Sequence, residues 1–117
     1  MLGAINYIHK NNVIHRDIKP ENIILKSAGK LEEATLIDFG LAKRVKSPSE
    51  MHYQPHGTVL YMAPEVLKGE YNSKCDLWSL GVIIYMMSMT VLPPFYAETE
   101  KEMVLNITRM KKLFIPK

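Results

Sequence analysis

A single cysteine, Cys75, stands in the 117-residue chain. No disulfide can close within it, and a zinc site built from several thiolates is excluded. The expected environment is therefore reducing, the expected location is cytoplasmic, and Cys75 reads as a small apolar residue near a helix start. Glycine is sparse: six residues lie at positions 3, 29, 40, 57, 69 and 81. No two are close enough to build a glycine-rich loop that wraps a phosphate with backbone N–H groups. The N-terminus lacks a basic stretch leading into an apolar run with a cleavage site, so no secretory signal is read. Internal repeats and low-complexity tracts are also missing.

Neither sign of charge is concentrated. Fifteen basic and twelve acidic residues leave a formal charge of +3. Apart from Lys43, Arg44, Lys46 and residues 109–117, the bases are scattered, which excludes the stripe a nucleic-acid partner would need. One long run without charge exists, Leu77 to Ala97, close to a membrane span in length. Ser79, Gly81, Ser88, Thr90 and the pair Pro93-Pro94 interrupt it, so it reads as a buried central helix, and no membrane partner is expected. With 47% hydrophobic residues, the chain has the material for one domain or part of one.

The periodicities then predict the elements. Leu2, Ile5 and Ile8 share a helical face over residues 2–9, with Asn11-Asn12 as the terminating turn. Ile23–Leu25 and Ala34–Ile37 are β-leaning runs that suggest a hairpin with a longish loop. Residues 41–57 show no period and read as an exposed, adjustable loop. Pro64 starts a short helix through Leu67 that Gly69 ends. From Ser73 or Asp76 to about Met89 runs a helix apolar on nearly all sides, expected to be buried all round, with its methionines as core filler. Residues 98–112 form an amphipathic helix with acids first and bases last.

The polar residues of VIHRDIKPENIIL, positions 13–25, are held between aliphatic anchors. Asn22 lies just before the first hairpin strand and Asp38 just after the second, so antiparallel pairing brings them to the same open end. Both offer hard oxygen ligands of the kind Mg²⁺ takes. Asp17 and Lys19 precede Asn22 on one short loop. A carboxylate, a fixed cation and a metal ligand together suit transfer of a phosphoryl group to a hydroxyl.

His15-Arg16-Asp17-Ile18-Lys19-Pro20-Glu21-Asn22, Asp38-Phe39-Gly40, Ala63-Pro64-Glu65 and Asp76-Leu77-Trp78-Ser79-Leu80-Gly81 occur in that order, and together they resemble the catalytic loop, metal-binding turn, end of the activation segment and central helix of eukaryotic protein kinases. Lys19 and the pair Gly57-Thr58 resemble the serine/threonine type. The run YNSKCDLWSLGVIIY, the PPF after it and the loop KSAGKLEEA resemble the calcium-dependent and calmodulin-dependent branch. The resemblance implies a fold that is mainly α with a short β-hairpin, a protein-kinase-like C-terminal lobe truncated at both ends. Residues 1–117 would be a partial kinase domain from the end of the E helix to about the G helix, with the N-lobe absent and expected from the full-length chain.

It also implies roles. Asp17 would be the catalytic base or orient the substrate hydroxyl, and Lys19 would contact the γ-phosphate of ATP. Thr58 would hydrogen-bond the catalytic loop, and Asp76 would brace it. Asn22 and Asp38 would hold Mg²⁺, Glu21 would lie near the ribose and the substrate path, and Ile24 and Ile37 near the adenine. The implied activity is phosphorylation of Ser/Thr hydroxyls of protein substrates, with basic residues before the acceptor; a truncated or pseudokinase-like interaction module is the alternative. Without a nucleotide-covering lobe, the isolated 117 residues are expected to bind ATP weakly or not at all. Gln54 stands three before Gly57, where the family often carries a phosphorylatable or acidic residue. His9, His52 and His56 show no ligand-like grouping and read as surface or loop residues.

Overall fold

The computed structural model describes residues 1–89 and 92–109. Within them run α1 (Leu2–Lys10), β1 (Val13–Ile14), β2 (Ile23–Leu25), β3 (Ala34–Leu36), β4 (Lys43–Arg44), α2 (Pro64–Leu67), α3 (Cys75–Ser88) and α4 (Glu100–Arg109). Single 3₁₀ turns at Pro20–Asn22, Leu31–Glu33 and Val59–Tyr61 join them. The strands make two separate antiparallel pairs, β2 with β3 and β1 with β4.

The hairpin forms as the sequence predicts, with Ile23 opposite Leu36 and Leu25 opposite Ala34. Ladder pairing ends at Leu36, but Ile37 N–H still reaches the Asn22 carbonyl at 2.9 Å. Alternation puts Asn22, Ile24, Thr35 and Ile37 on one face, away from the buried Leu36. Asn11 caps α1, and Asn12 turns the chain with φ +57, a left-handed conformation that asparagine tolerates. Thr99 caps α4: its hydroxyl accepts from Glu102 N–H at 3.3 Å and its carbonyl from Met103 N–H at 3.0 Å. The helix therefore starts at Glu100 rather than at 98, and residues 110–112 of the predicted span lie outside the described residues.

Two further expectations are corrected. Residues 41–57 are not simply a loop. Lys43–Arg44 pairs with Val13–Ile14, Val45 is buried in a core cluster, and His52 bridges Tyr71. These partners lie some distance away in sequence, so no local period reveals them. Nor is α3 buried all round. Asp76, Ser79, Leu80 and Ile83 face inward, whereas Ile84 is 53% and Met87 61% exposed. These two line an open apolar groove of about 670 Å³ with Leu2, Leu25 and Leu31. A helix with apolar residues on every side carries no amphipathic stripe, so its pattern cannot say which side its neighbours cover. Of the methionines, Met86 packs on the core while Met87 and Met89 are exposed. No described helix is long and apolar enough to cross a membrane.

Among the described residues the core has two clusters. One gathers Ile5, Ile18, Leu36, Tyr61, Leu80, Val82 and Ile83. The other holds Ile14, Val45, Ala63, Val66, Tyr71 and Cys75. Ile14 and Ile18 are both fully buried, so the loop between them is pinned to a different cluster at each end.

Candidate functional site

Between those anchors the backbone leaves the usual regions. Arg16 has φ +68 and Asp38 φ +56, conformations that strain a residue with a side chain and persist where surrounding contacts over-determine them. For Arg16 the determinant is Asp76, in the first turn of α3 and 1% exposed. Its carboxylate accepts from the backbone N–H of His15 at 3.0 Å, from that of Arg16 at 2.9 Å and from His9 Nε2 at 2.8 Å. His9 thus leaves the surface role its isolated position suggested. It sits in the last turn of α1, which packs on α3, a meeting of helices that residue spacing does not encode.

His15 links two parts of the site. Its Nδ1 stands 3.2 Å from Asp17 N–H and its Nε2 3.0 Å from the Ile37 carbonyl. Since a backbone amide can only donate and a carbonyl only accept, the ring is neutral and carries its proton on Nε2. Phe39 meets the ring edge-on, with centroids 4.8 Å apart. One imidazole therefore ties Asp17 to the residue preceding Asp38.

Asp17, Lys19, Asn22 and Thr58 converge. Thr58 Oγ donates to Asp17 Oδ1 at 3.1 Å, and Lys19 Nζ donates to Thr58 Oγ at 3.0 Å while lying 3.5 Å from Asp17 Oδ2. Asn22 Nδ2 donates both to the Asp17 carbonyl at 2.8 Å and to its Oδ2 at 3.2 Å. With its amide hydrogens directed at Asp17, Asn22 has Oδ1 left to face a cation. Asp38 Oδ1 accepts from Gly40 N–H at 3.1 Å; Asp38 follows Ile37, the residue paired with Asn22. Among the described residues no group of three or more His, Cys, Asp or Glu could hold a metal. Two oxygen ligands suit Mg²⁺, which completes its shell with water and substrate phosphate, so Asn22 and Asp38 fit that ion. Glu21 is exposed beside this turn, and its charge, after burial, helps raise the pKa of Tyr61. Ile24 is exposed and Ile37 half-buried on the hairpin face that carries Asn22.

Gly57 lets the 41–57 segment reach this cluster. It has φ +120, and a Cβ there would stand 2.6 Å from the Arg16 carbonyl oxygen. Gly57→Ala is expected to destabilise the domain by about 1–3 kcal/mol through backbone strain and to push Thr58 off Asp17. Urea unfolding would register the loss and amide exchange at Thr58 the displacement; an unchanged midpoint and exchange rate would contradict it.

Two histidines in that segment resist protonation. His52 is buried, and its Nε2 meets no hydrogen-bond partner among the described residues. Burial lowers its pKa from 6.5, as does the charge of Lys43, against a raising effect of Glu50, with Arg16 lowering it further. Burial, Arg16 and Lys43 lower that of His56 from the same value. A histidine with a depressed folded pKa gives full stability above its unfolded value and loses it as pH falls from there toward the folded value. The segment is therefore expected to loosen below about pH 6.5. Faster proteolysis at residues 52–56 at pH 5.5 than at 7.5 would register this, and equal rates would refute it. The Cys75 thiol is pushed well above its usual range by burial and by the charges of Asp76 and Glu65, so it stays protonated and inert, in keeping with a packing role.

The protein kinase domain family matches residues 1–116. "Calcium-dependent protein kinase 6" of Plasmodium berghei is 46% identical over 107 residues, covering 92% of this chain and 7% of that protein. "Calcium-dependent protein kinase 4" of Plasmodium berghei and of Plasmodium falciparum are each 42% identical over 115 residues, covering 97% of this chain and 21% of theirs. The chain thus spans between 7% and 21% of the length of these curated relatives. They bear out the resemblance to the calcium-dependent branch that KSAGKLEEA, YNSKCDLWSLGVIIY and the PPF after it carry.

Proposed function

Because this chain belongs to the protein kinase family, we propose that it supplies the phosphoryl-transfer site of a serine/threonine kinase and forms part of that kinase's C-terminal lobe. The observation that carries this reading is the single hydrogen-bonded cluster of Asp17, Lys19, Asn22 and Thr58 at the open end of the hairpin, with Asp38 next to Ile37 across the strand pair. Its spacing matches what a γ-phosphoryl transfer needs: a carboxylate for the acceptor, a cation for the moving group and oxygen ligands for a metal.

In this reading the Asp17 carboxylate accepts a hydrogen bond from a Ser or Thr hydroxyl. As the hydroxyl oxygen bonds to the γ-phosphorus and the bond to ADP breaks, the proton passes to Asp17. Thr58 and Asn22 keep the carboxylate aimed, each spending a donor on it. Lys19, bonded to Thr58 and 3.5 Å from Asp17 Oδ2, would meet the γ-phosphate, where its charge would offset that developing on the transferred group. Asn22 and Asp38 would hold Mg²⁺, which would supply positive charge to neutralise the substrate's phosphates. Ile24 and Ile37 would present apolar surface to the adenine, and Glu21 would meet the ribose or a basic residue of the protein substrate.

The test uses the full-length protein with γ-labelled ATP and a peptide array. Label on Ser and Thr, abolished by a magnesium chelator and strongest where Arg or Lys precedes the acceptor, is expected. Absence of transfer, or label on Tyr, would overturn the kinase assignment or its serine/threonine type, and indifference to basic residues would remove the substrate reading.

A further inference from the structure

Tyr71, in the connection from α2 to α3, is 1% exposed, and its backbone and hydroxyl together join three stretches of chain. Its carbonyl accepts from His52 N–H at 2.7 Å and its N–H donates to the His52 carbonyl at 3.0 Å. Its hydroxyl donates to the Gln54 carbonyl at 2.7 Å and receives a longer bond, 3.4 Å, from Arg16 Nη1. Arg16 Nε, in turn, donates to the Leu41 carbonyl at 2.7 Å. A half-buried guanidinium needs oxygen partners, since leaving its donors unmet costs more than the bonds return. Here a peptide oxygen and a phenol oxygen serve, both uncharged. At Gln54 the side chain is itself uncharged, so it brings no anion to this arginine.

The consequence runs along the backbone. Gln54 is three residues from Gly57, which abuts the Arg16 carbonyl, and Gly57 is followed by Thr58, whose hydroxyl bridges Asp17 and Lys19. We propose that Tyr71 is a positioning residue. Its hydroxyl fastens residues 52–57 to Arg16, and so holds Thr58 on Asp17, without any phosphate on the segment. The hydroxyl bonds Gln54 and Arg16 rather than Asp17, Lys19, Asn22 or Asp38, so it acts through the segment. The proposal rests on the kinase reading above for its activity readout alone.

Tyr71→Phe in the full-length protein removes one oxygen and keeps the ring. The expected result is a fall in kcat of about tenfold, in line with the penalty for a displaced catalytic group, with KM for ATP changed less than about twofold, as expected when ground-state binding is untouched. Amide hydrogen exchange at residues 54–58 should rise while exchange in α3 stays as in the parent. In a Gln54→Glu background, where a carboxylate is offered to Arg16, the same change should cost less than in the parent, a non-additivity that reports direct coupling. Equal losses in both backgrounds, or unchanged exchange at residues 54–58, would overturn the proposal. If the parent protein transfers no phosphate, the kinase reading falls, and the exchange measurement alone decides for or against Tyr71.

Discussion

Asp17→Asn in the full-length protein is expected to lower kcat for peptide phosphorylation by about 10²–10⁴-fold, the usual contribution of a positioned general base. KM for ATP should hold, because nothing places Asp17 on the nucleotide. The substitution keeps the shape of the side chain but puts an amide nitrogen where one carboxylate oxygen stood. Asp17 Oδ1 accepts from Thr58 and Oδ2 from Asn22, with Lys19 nearby, so the new N–H group must meet a donor. A stability loss of about 1–3 kcal/mol is expected from that unmet pairing. The rate effect is much the larger of the two, and a variant retaining a tenth of the parent rate would remove Asp17 from the role of base.

The largest effect on stability is expected from Asp76→Ala. The carboxylate is 1% exposed and receives from His9, His15 N–H and Arg16 N–H. Its removal strands the buried His15 N–H, the partly buried Arg16 N–H and the imidazole of His9 at once. Breaking a buried charged network by deleting one member costs about 3–5 kcal/mol, a large part of the 5–15 kcal/mol that typically holds a domain. Asp76→Asn should cost less, since one oxygen survives. Because Oδ2 serves two N–H donors, whereas Oδ1 serves one together with the weak Cys75 thiol at 3.9 Å, the amide orientation that keeps oxygen toward His9 and His15 is the cheaper. Urea unfolding of the full-length protein with and without each change is the measurement; a midpoint shift for Asp76→Ala equivalent to under about 1 kcal/mol would show the network to be dispensable.

Much of this site was legible in the residues alone because its information is local. Asp17, Lys19 and Asn22 fall within six positions, and Asp38 joins them through a hairpin whose two strands announce themselves by β-branched and aliphatic residues. The helices were legible where an apolar stripe or a bounding residue marks them: Pro64 and Gly69 bound α2 as expected, whereas the Thr99 cap went unread and the start of α4 was placed two residues early. What escaped was whatever two distant stretches make together. Lys43–Arg44 becomes a strand only because Val13–Ile14 lies beside it. His9 gains a role only because α1 crosses α3 near Asp76, and Tyr71 only because the segment containing Gln54 folds back over Arg16. The exposed side of α3 was unreadable for the opposite reason, since a helix apolar all round gives the pattern nothing to contrast.

The attachment of Ile14 and Ile18 to separate core clusters has a mechanical consequence. Asp17 lies between the two attachments, whereas Asn22 lies beyond the second and travels with the hairpin. A change in how one cluster sits against the other would therefore alter the separation of Asp17 and Asn22. The spacing of Asp17 and Asn22 is thus tied to how the packing around Val45 and Val66 sits against that around Leu80, across the Trp78 side chain that both clusters share.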